Sequence, residues 1–501
     1  MNATVDTLYI YPVDETYIQL DGDRGLLMDA YDYFSFDVPN AKWTYKFQNK
    51  LWDGKVHLLN NITCRIYKGL LPYIEDFAKE RDWKIVKDES LFISHAEPFN
   101  TNDFCKTLNL TKVPHDFQYE AVQHAVDNER ACFESPTSSG KSLIIYCLVI
   151  FFLKKFNLKR KILVTEPTSA LVEQMLADWK TYSPNFPIEK FVHQIFDGAE
   201  KITNKPVIIS TWQALQEQPA RYMSQFGAIM VDEAHGAKAP ELKHILENAT
   251  DCKYKYGFTG TLDNTESNRL VIEGLTGKAI KMTTTKELMD RGIISELTLQ
   301  CMILKYSDTV RKQNIKFEWQ NETDFIVHHK GRNKFIANLV GALKPKDNIL
   351  ILTEFHDKKK HCDILAEAIK KTCPNKRIII VHGKTNEDAE ELRNLVENNE
   401  DIVIIATFGV FSTGRSINNI QHLIFATFSK SHIKVLQSIG RGLRLDGKTN
   451  TVYAYDLVDD FGYNGTQNHL VRHFFERIKI YLTEKFKYKI YNINILEPDE
   501  L

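Results

Sequence analysis

The chain has 501 residues, too many for one ordinary hydrophobic core, and at about 150 residues per domain this length predicts about three domains. Hydrophobic residues make up 43% of the chain and charged residues 26%, a composition that indicates a folded globular protein and excludes an intrinsically disordered one. The formal net charge is -1, so any affinity for nucleic acid has to come from a local basic face.

The cysteines and the N-terminus indicate neither export nor a membrane protein. The eight cysteines include no Cys-x-x-Cys pair and no spacing of zinc-ligand type, which favours reduced thiols in a cytoplasmic protein. The first residues lack the positive region and apolar stretch of a secretory signal. The longest apolar run, residues 143–153, is far shorter than the ~20 residues that cross a bilayer, so we interpret it as a buried helix.

Residues 1–95 have the pattern of a small α+β domain. A helix-like segment runs from Leu70 to Arg81, and the strand-like pieces are Thr7 to Tyr11, Val56 to Leu59 and Cys64 to Tyr67. Between residues 42 and 68, basic and aromatic side chains alternate, with Asp53 as the only acid. This mixture suits a nucleic-acid surface, for which Lys42, Lys46 and Lys50 are the candidates. The same alternation is also typical of strands whose aromatics form the core of the domain.

Two α/β domains are predicted next in the chain, at residues 100–290 and 295–465. Short β-branched runs separated by helix-length segments are typical of parallel sheets with crossover helices. The runs are Lys161 to Val164, Val207 to Ser210, Ala228 to Val231, Asn348 to Thr353, Arg377 to Val381, Ile402 to Ala406 and Leu423 to Ala426. Residues 304–329 are polar and poorly periodic, which favours an irregular excursion or a flexible connection.

A C-terminal helical extension is predicted for residues 466–501. The segment from Arg472 to Phe486 is amphipathic. We expect its apolar face to pack on a core, and that face consists of Phe475, Ile478, Leu482 and Phe486.

A phosphate-binding loop is predicted after the strand that ends at Phe133. Backbone N–H groups of a tight turn that leads into a helix point at an anion, and the helix dipole favours negative charge there. The loop reads Ser135-Pro136-Thr137-Ser138-Ser139-Gly140-Lys141-Ser142, with Ser135 where such loops usually begin with glycine. We expect Lys141 to neutralise the phosphates of ATP and Ser142 to bind Mg²⁺.

The string Asp232-Glu233-Ala234-His235, a DEAH box, follows a predicted strand of the same sheet. Asp232 is therefore expected at the carboxyl edge of a parallel sheet, where ligands bind in such folds, and is a second candidate ligand for Mg²⁺. Glu233 is the candidate base for the attacking water. His235 is expected to bond to the turn Thr259-Gly260-Thr261 and to report the nucleotide state.

Gln437, Arg441 and Arg444 are spaced so that they share one face of a helix in the second α/β domain. Two arginines three residues apart can bind a single phosphate group. We expect ATP to lie between the two domains, with Lys141 and Asp232 on one side and the arginines on the other.

These motifs resemble those of superfamily 2 helicases over residues 114–465, and among them the phage DNA helicases of recombination and repair. Phe117-Gln118 resembles the adenine-reading Q motif, with His115 where relatives often have arginine. Motif Ia is resembled by residues 167–174 and motif Ib by residues 210–212. Motif V is resembled by Thr407 together with residues 412–416. The resemblance implies two tandem RecA-like domains, and backbone-phosphate contacts at Thr168, Thr211 and Thr407.

The resemblance also implies function. It predicts an ATP-driven enzyme that acts on branched or single-stranded DNA and on RNA-DNA hybrids in the host cytoplasm, alongside recombination or replication proteins. An RNA helicase is an alternative, because the helicase core grips mainly phosphate and sugar. The translocating subunit of a restriction or nuclease assembly is another. A nucleic-acid-binding module without catalysis would require the loss of catalytic groups, which are all present: Lys141, Asp232, Glu233, Arg441 and Arg444.

Overall fold

In a computed structural model, the described residues form two seven-stranded sheets, one four-stranded sheet and one two-stranded sheet. The chain divides into two units, Met1–Ser135 with Gly140–Met282, and Pro136–Ser139 with Thr283–Leu501. Within the described part of the chain, no helix is both long and apolar enough to cross a membrane. The described residues are 6–38, 40–91, 99–196, 198–262, 265–314, 318–354, 360–381, 399–408, 419–427 and 451–496.

The N-terminal part of the first unit contains a small mixed sheet. Its elements are β1 (Thr7–Pro12), β2 (Tyr17–Asp21), α1 (Arg24–Tyr33), β3 (Ser35–Asp37), α2 (Tyr45–Gln48), β4 (Lys55–His57), β5 (Arg65–Tyr67), α3 (Leu71–Glu80) and β6 (Lys84–Lys87). The sheet order is β5-β2-β1-β6, in which β1 is antiparallel to β2 and parallel to β6. Strands β3 and β4 pair separately as an antiparallel hairpin whose tip contains α2.

The first seven-stranded sheet follows, and all of its strand pairs are parallel. Its order is β13-β7-β12-β11-β8-β10-β9. The elements are α4 (Thr101–Thr107), α5 (Asp116–Asp127), β7 (Arg130–Glu134), α6 (Lys141–Phe156), β8 (Lys161–Glu166), α7 (Ser169–Tyr182), β9 (Val192–Ile195), β10 (Val207–Thr211), α8 (Trp212–Leu215), α9 (Ala220–Met223), β11 (Phe226–Val231), α10 (Pro240–Asn248), β12 (Tyr254–Thr259), α11 (Glu266–Thr276) and β13 (Ala279–Lys281).

The central strands of this sheet are buried on both faces, which explains why they read as continuous apolar runs. On β8, Ile162 and Val164 pack in the cluster that contains the apolar helix α6. Leu163 points to the opposite face. The helix predicted from the apolar run 143–153 is thus confirmed as a buried element under the sheet.

The N-terminal sheet shares one hydrophobic core with this opposite face. Leu8 and Ile18 belong to the same buried cluster as Leu163 and Ile229. The contact is close enough that a side chain at Gly69 would collide with the backbone of α11, while a Cβ at Gly274 in that helix would lie 2.8 Å from the Tyr67 ring. The two sheets are therefore packed with no spare room at these glycines.

Polar contacts complete this packing. The Tyr67 hydroxyl donates to Glu247 Oε1 at 2.6 Å. Lys255, which is fully buried, donates to Thr16 Oγ1 at 2.6 Å and to the Leu246 carbonyl at 3.1 Å. Tyr67 and Lys255 thereby keep hydrogen-bond partners, which offset part of the cost of burying their polar groups.

The second seven-stranded sheet is also parallel throughout, in the order β16-β17-β15-β18-β19-β14-β20. Its unit contains α12 (Thr285–Asp290), β14 (Glu296–Lys305), α13 (Asp308–Asn314), α14 (Trp319–His328), α15 (Lys330–Ala342), β15 (Ile349–Thr353), α16 (His361–Thr372), β16 (Arg377–Val381), β17 (Ile402–Thr407), β18 (His422–Phe425), β19 (Thr451–Asp460), α17 (His469–Thr483) and β20 (Lys487–Asn494). The two parallel sheets confirm the predicted fold class.

Two predictions about this unit need correction. The described residues between 304 and 329 are largely regular, because they contain the end of β14 and the helices α13 and α14. The C-terminal helix is present, but its predicted packing face is right only at Phe486, which is buried, since Phe475 is 47% exposed and Leu482 59% exposed. The face that is buried instead carries Phe474, Arg477 and Tyr481.

Arg477 explains why the sequence pattern was misleading. Its guanidinium is buried and donates two hydrogen bonds to Asp456 of β19, at 2.9 and 2.7 Å. The Tyr481 hydroxyl also donates to Asp456, at 3.0 Å. A charged residue in a helix sequence normally indicates the solvent-exposed face. Because Arg477 is charged but buried and paired, it interrupts the apolar pattern of the buried face, and the pattern then indicates the wrong face.

Candidate ATP and nucleic-acid sites

The candidate ATP site lies at the carboxyl edge of the first seven-stranded sheet. Three neighbouring strands, β8, β11 and β12, end at Glu166, Val231 and Thr259, and Asp232 follows Val231 directly. Ligands bind at this edge in open parallel sheets because the loops that follow the strands converge there. The site residues described next belong to the first unit, except Pro136–Ser139 of the phosphate loop, which belong to the second, and residues whose unit is stated.

The predicted phosphate loop connects β7 to α6. Gly140 precedes α6 with φ +83° and Ser138 has φ +70°, both in the left-handed region. The Ser139 amide donates to the Pro136 carbonyl at 3.2 Å, which closes a tight turn around Thr137. The Lys141 ammonium donates to the Ser135 carbonyl at 3.3 Å. The N-terminus of α6 and the ammonium group of Lys141 thus lie at the same end of this helix, an arrangement that attracts phosphate.

Ser142, the other predicted ligand of this loop, is hydrogen-bonded to a helix of the same unit. Its hydroxyl lies 2.6 Å from the hydroxyl of Tyr182 at the end of α7. Either oxygen can be the donor.

Asp232 is held by its own backbone and by that of its neighbour. Its amide donates to the Thr165 carbonyl at 3.0 Å, and its Oδ1 accepts from the Glu233 amide at 2.9 Å. Burial and the neighbouring Glu233 carboxylate raise the pKa of Asp232 to about 6, while Lys141 acts in the opposite direction. A carboxylate in such surroundings is stabilised by a bound cation.

His235 connects the acidic motif with the turn after β12. Its Nδ1 lies 3.3 Å from Glu233 Oε2 and 3.2 Å from Thr259 Oγ1. The Thr259 hydroxyl donates to the Thr261 carbonyl at 2.8 Å across Gly260. Because this hydroxyl already uses its hydrogen, it accepts from His235, and Nδ1 carries the proton.

Phe117 and Gln118, the predicted adenine readers, are both buried at the start of α5. Gln118 Oε1 accepts from the His115 amide at 2.8 Å, and its Nε2 donates to the Gly140 carbonyl at 3.4 Å. Phe117 lies against the His115 ring, with 5.6 Å between the ring centroids. Gln118 therefore ties the start of α5 to the phosphate loop.

Three predicted nucleic-acid contacts end strands or begin helices. Thr168 is the N-cap of α7 and accepts from the Leu171 amide at 3.4 Å. Thr211 ends β10 and precedes α8. Thr407 ends β17 in the second unit. Gln437, Arg441 and Arg444, and residues 412–416 of the motif V resemblance, lie outside the described residues.

The hairpin between β3 and β4 carries Lys42, Lys46 and Lys50 at its tip, and all three are exposed. The tip also exposes two aromatic side chains, Trp43 at 71% and Tyr45 at 74%. Aromatic residues of a domain core would be buried, so the interpretation of these two residues as core is wrong. We call residues 40–54 the hairpin tip.

Comparisons with known proteins agree with this architecture along the whole chain. Residues 9–88 match the family model "DNA helicase UvsW, N-terminal", residues 111–264 match "Type III restriction enzyme, res subunit", and residues 331–446 match "Helicase conserved C-terminal domain". The chain is 30% identical to the ATP-dependent DNA helicase uvsW of Enterobacteria phage T4, over 96% of this chain and 98% of that protein.

The chain belongs to the UvsW helicase family.

Solved structures agree. The crystal structure of T4 UvsW superposes with a TM-score of 0.51 at 28% identity, and the alignment covers 98% of this chain and 100% of that chain. Dbp5 of S. cerevisiae, bound to RNA and ADP BeF3, has a TM-score of 0.53 at 14% identity and covers 80% of this chain and 94% of its own, which shows the shared fold alone. Membership of the UvsW family makes this chain an ATP-hydrolysing helicase with tandem RecA-like domains and confirms the predicted resemblance.

Two residues beside the candidate ATP site, Glu166 and Tyr182, were not found by the sequence analysis. Glu166 is fully buried beside Asp232, and neither of its carboxyl oxygens has a hydrogen-bond partner among the described residues. Burial, followed by the charges of Asp232 and Glu233, raises its pKa well above the usual range. An acid at the end of an apolar strand was the available signal for Glu166. Tyr182, in contrast, lies too far from any motif for sequence reasoning to find it.

Proposed function

We propose that this helicase is an ATP-driven motor that moves on DNA and remodels branched DNA such as forks and Holliday junctions, and that it also removes RNA from RNA-DNA hybrids. What supports this most is the candidate ATP site at one sheet edge together with similarity over nearly the full length to a protein named as an ATP-dependent DNA helicase. Action in recombination, repair and replication, in the host cytoplasm and beside the proteins of those processes, belongs to the same proposal.

In the proposed hydrolysis, each residue of the site has one task. The N-terminal amides of α6 bind the phosphates, and Lys141 leaves the Ser135 carbonyl to neutralise their charge. Glu233 orients the attacking water and accepts its proton. His235, which is hydrogen-bonded to Thr259 and lies 3.3 Å from Glu233 Oε2, passes a change at the phosphates to the turn Thr259-Gly260-Thr261.

The residues present fit Mg²⁺. The donors are hard oxygens, the hydroxyl of Ser142 and the carboxylate of Asp232, which are the atoms that this ion prefers together with nucleotide phosphates. The carboxyl group of Glu166 lies beside them, without a hydrogen-bond partner among the described residues, and its raised pKa disfavours the charged form; a bound cation would favour that form. When bound, the ion supplies charge neutralisation for the phosphates.

Residues of the second domain are proposed to complete the reaction. Arg441 and Arg444 would stabilise the charge that develops on the transferred phosphate, with Gln437 beside them. Phe117 and Gln118 are proposed to sense the base, Gln118 through its bond to the Gly140 carbonyl.

Nucleic acid is proposed to bind at two kinds of surface. Thr168, Thr211 and Thr407 are placed at strand or helix ends, where hydroxyl and amide donors meet backbone phosphates. The hairpin tip offers ammonium groups for phosphates and exposed rings for base stacking. Contacts of this kind depend little on sequence, as a motor that moves along DNA requires.

The test is steady-state ATP hydrolysis in Mg²⁺, first without nucleic acid and then with single-stranded, duplex and forked DNA and with matching RNA. Lys141→Ala is measured in parallel. We expect strong stimulation by single-stranded or forked DNA that disappears in the variant, followed by strand displacement on the forked substrate.

Stimulation by RNA alone would replace this proposal with an RNA helicase. Hydrolysis that ignores every nucleic acid would show that the motor interpretation is wrong. A translocating subunit of a larger nuclease assembly would reveal itself through a partner that co-purifies and is required for the stimulation.

A further inference from the structure

The hydroxyl pair Ser142–Tyr182 links the phosphate loop to the far end of α7. The two oxygens are 2.6 Å apart, a short distance for an O–H···O hydrogen bond. The motifs that define the ATP site do not include Tyr182.

Tyr182 is held in place from several directions. Its carbonyl accepts from the Thr111 amide at 2.8 Å, and the next residue, Ser183, donates its hydroxyl to the Leu108 carbonyl at 2.7 Å. Its ring packs edge-on against Tyr146 of α6, with 5.8 Å between the ring centroids. The phenol oxygen is therefore fixed relative to α6, the helix that begins at the phosphate loop.

A serine hydroxyl has one hydrogen and two lone pairs. To bind a metal ion it has to offer a lone pair, and its hydrogen then needs an acceptor elsewhere. Tyr182 Oη is an acceptor at hydrogen-bond distance. Partners that orient a metal-binding side chain in this way contribute strongly to metal affinity in other sites.

We propose that Tyr182 is a positioning residue that accepts the hydrogen of Ser142 and so directs a lone pair of Ser142 toward the Mg²⁺ that enters with the nucleotide. This inference rests on the proposed function, because it takes Ser142 as a ligand of that ion. Tyr182 itself touches neither nucleotide nor metal.

The experiment measures how much Mg²⁺ strengthens nucleotide binding, without any turnover. The affinity of the full-length protein for a fluorescent ADP, N-methylanthraniloyl-ADP, is measured by titration in EDTA and again in MgCl₂. The wild type is compared with Tyr182→Phe, Ser142→Ala and the double variant. The control is Tyr222→Phe, which likewise removes one phenol hydroxyl. The hydroxyl of Tyr222 donates to the Lys201 carbonyl at 2.7 Å.

We expect Tyr182→Phe to bind the fluorescent ADP in EDTA as tightly as the wild type does. The factor by which Mg²⁺ increases this affinity should be about tenfold smaller in the variant, which is the lower end of the effect that such partners have on metal affinity. The double variant should be no worse than Ser142→Ala, because Tyr182 acts only through Ser142. Tyr222→Phe should retain the full gain.

A Tyr182→Phe variant with the full Mg²⁺ gain would overturn the inference and leave the proposed function standing. Equal losses in EDTA and in MgCl₂, or additive losses in the double variant, would also overturn it, since they indicate a general packing effect. If Ser142→Ala itself keeps the whole Mg²⁺ gain, the proposed metal ligand is wrong, and the inference fails with it.

Discussion

His235 Nδ1 donates to Thr259 Oγ1 at 3.2 Å, and this bond joins the acidic motif to the turn that follows the next strand. The bond predicts that hydrolysis and strand separation can be uncoupled at Thr259. Thr259→Ala removes the acceptor of this hydrogen bond. We expect the rate of ATP hydrolysis to fall by only a few fold. Strand displacement should fall by at least about tenfold, which corresponds to the loss of about 1.4 kcal/mol of coupling free energy between the two activities. Thr259→Ser keeps the hydroxyl and should retain both activities. Parallel loss of the two activities in Thr259→Ala would contradict a coupling role.

Gly140 is predicted to be important in the phosphate loop because of its backbone angle and its contact with Gln118. Its φ is +83°, and an added Cβ would collide with the side-chain amide of Gln118. Gly198 has a similar φ of +78° but nothing within 4 Å of an added Cβ, so Gly198→Ala measures the backbone strain alone. We expect Gly140→Ala to weaken binding of fluorescent ADP by about tenfold or more, and Gly198→Ala to leave it unchanged. Equal affinities in the two variants would show that neither the positive φ at Gly140 nor its contact with Gln118 matters for nucleotide binding.

The hairpin tip is predicted to add binding energy for nucleic acid but none for folding. Trp43 and Tyr45 are 71% and 74% exposed, and stacking on a base contributes about 1–3 kcal/mol per ring. The double variant Trp43→Ala/Tyr45→Ala should therefore bind fluorescent single-stranded DNA at least about tenfold more weakly, with an unchanged melting temperature. Ile62→Ala is the matched control, since Ile62 is 87% exposed in the same part of the chain but has no ring to stack. Unchanged DNA affinity in the double variant would remove the hairpin tip from the nucleic-acid surface.

The junction between the N-terminal sheet and α11 is predicted to tolerate no side chain at Gly69. A Cβ there would overlap the carbonyl oxygens of Glu273 and Gly274, and backbone cannot move aside cheaply. We expect Gly69→Ala to lower the midpoint of urea unfolding, with a loss of about 1–3 kcal/mol. Gly25→Ala, at a position with nothing within 4 Å and inside α1, should leave the midpoint unchanged or raise it slightly. A Gly69→Ala variant as stable as the wild type would mean that the junction is looser than its geometry indicates.

Lys255 predicts a pH dependence of stability. Burial lowers its pKa to about 7, and the charge of Arg130 acts in the same direction. An exposed lysine in the unfolded chain keeps its proton to about pH 10.4, so between pH 7 and that value the unfolded state binds more protons. Stability therefore rises with pH through this window, by at most about 1.4 kcal/mol per pH unit. Below pH 7 both states are protonated, and the dependence on Lys255 ends.

The measurement is the difference in unfolding free energy between the wild type and Lys255→Met from pH 6 to 8.5. The other charged groups that act on Lys255 are Arg130, Cys252, Asp14 and Glu15. Cys252 has its own pKa raised to about 11 by burial, which would lower stability above pH 8.5, and the upper limit of the range avoids this effect. A flat difference across the range would show that Lys255 stays charged in the folded protein.

The sequence predicted the parallel sheets well because their strands are buried on both faces and read as uninterrupted apolar runs, as for β8 and β11. It failed where a buried charge breaks the pattern, as Arg477 does in α17, and where short helices are polar, as in α13 and α14. In the ATP site, motif spacing pointed to Asp232 and His235.

Other parts of the site were beyond sequence reasoning for a different reason. Tyr182 meets Ser142 only through the path of α7 across the sheet, and Gln118 meets Gly140 only through the packing of α5. Glu166 was visible as an acid, but the pairing of β8 with β11 is needed to place it beside Asp232. Tertiary geometry of this kind is not encoded in any local pattern.

The close fit at Gly69 and Gly274 has a mechanical consequence. Helix α11, which the N-terminal sheet touches there, follows the turn Thr259-Gly260-Thr261 in the chain, with β12 immediately before that turn. Because the contacts at Gly69 and Gly274 leave no space for even one added carbon atom, the N-terminal sheet and α11 cannot slide past each other without unpacking. We therefore expect the N-terminal sheet and the first seven-stranded sheet to move as one rigid body.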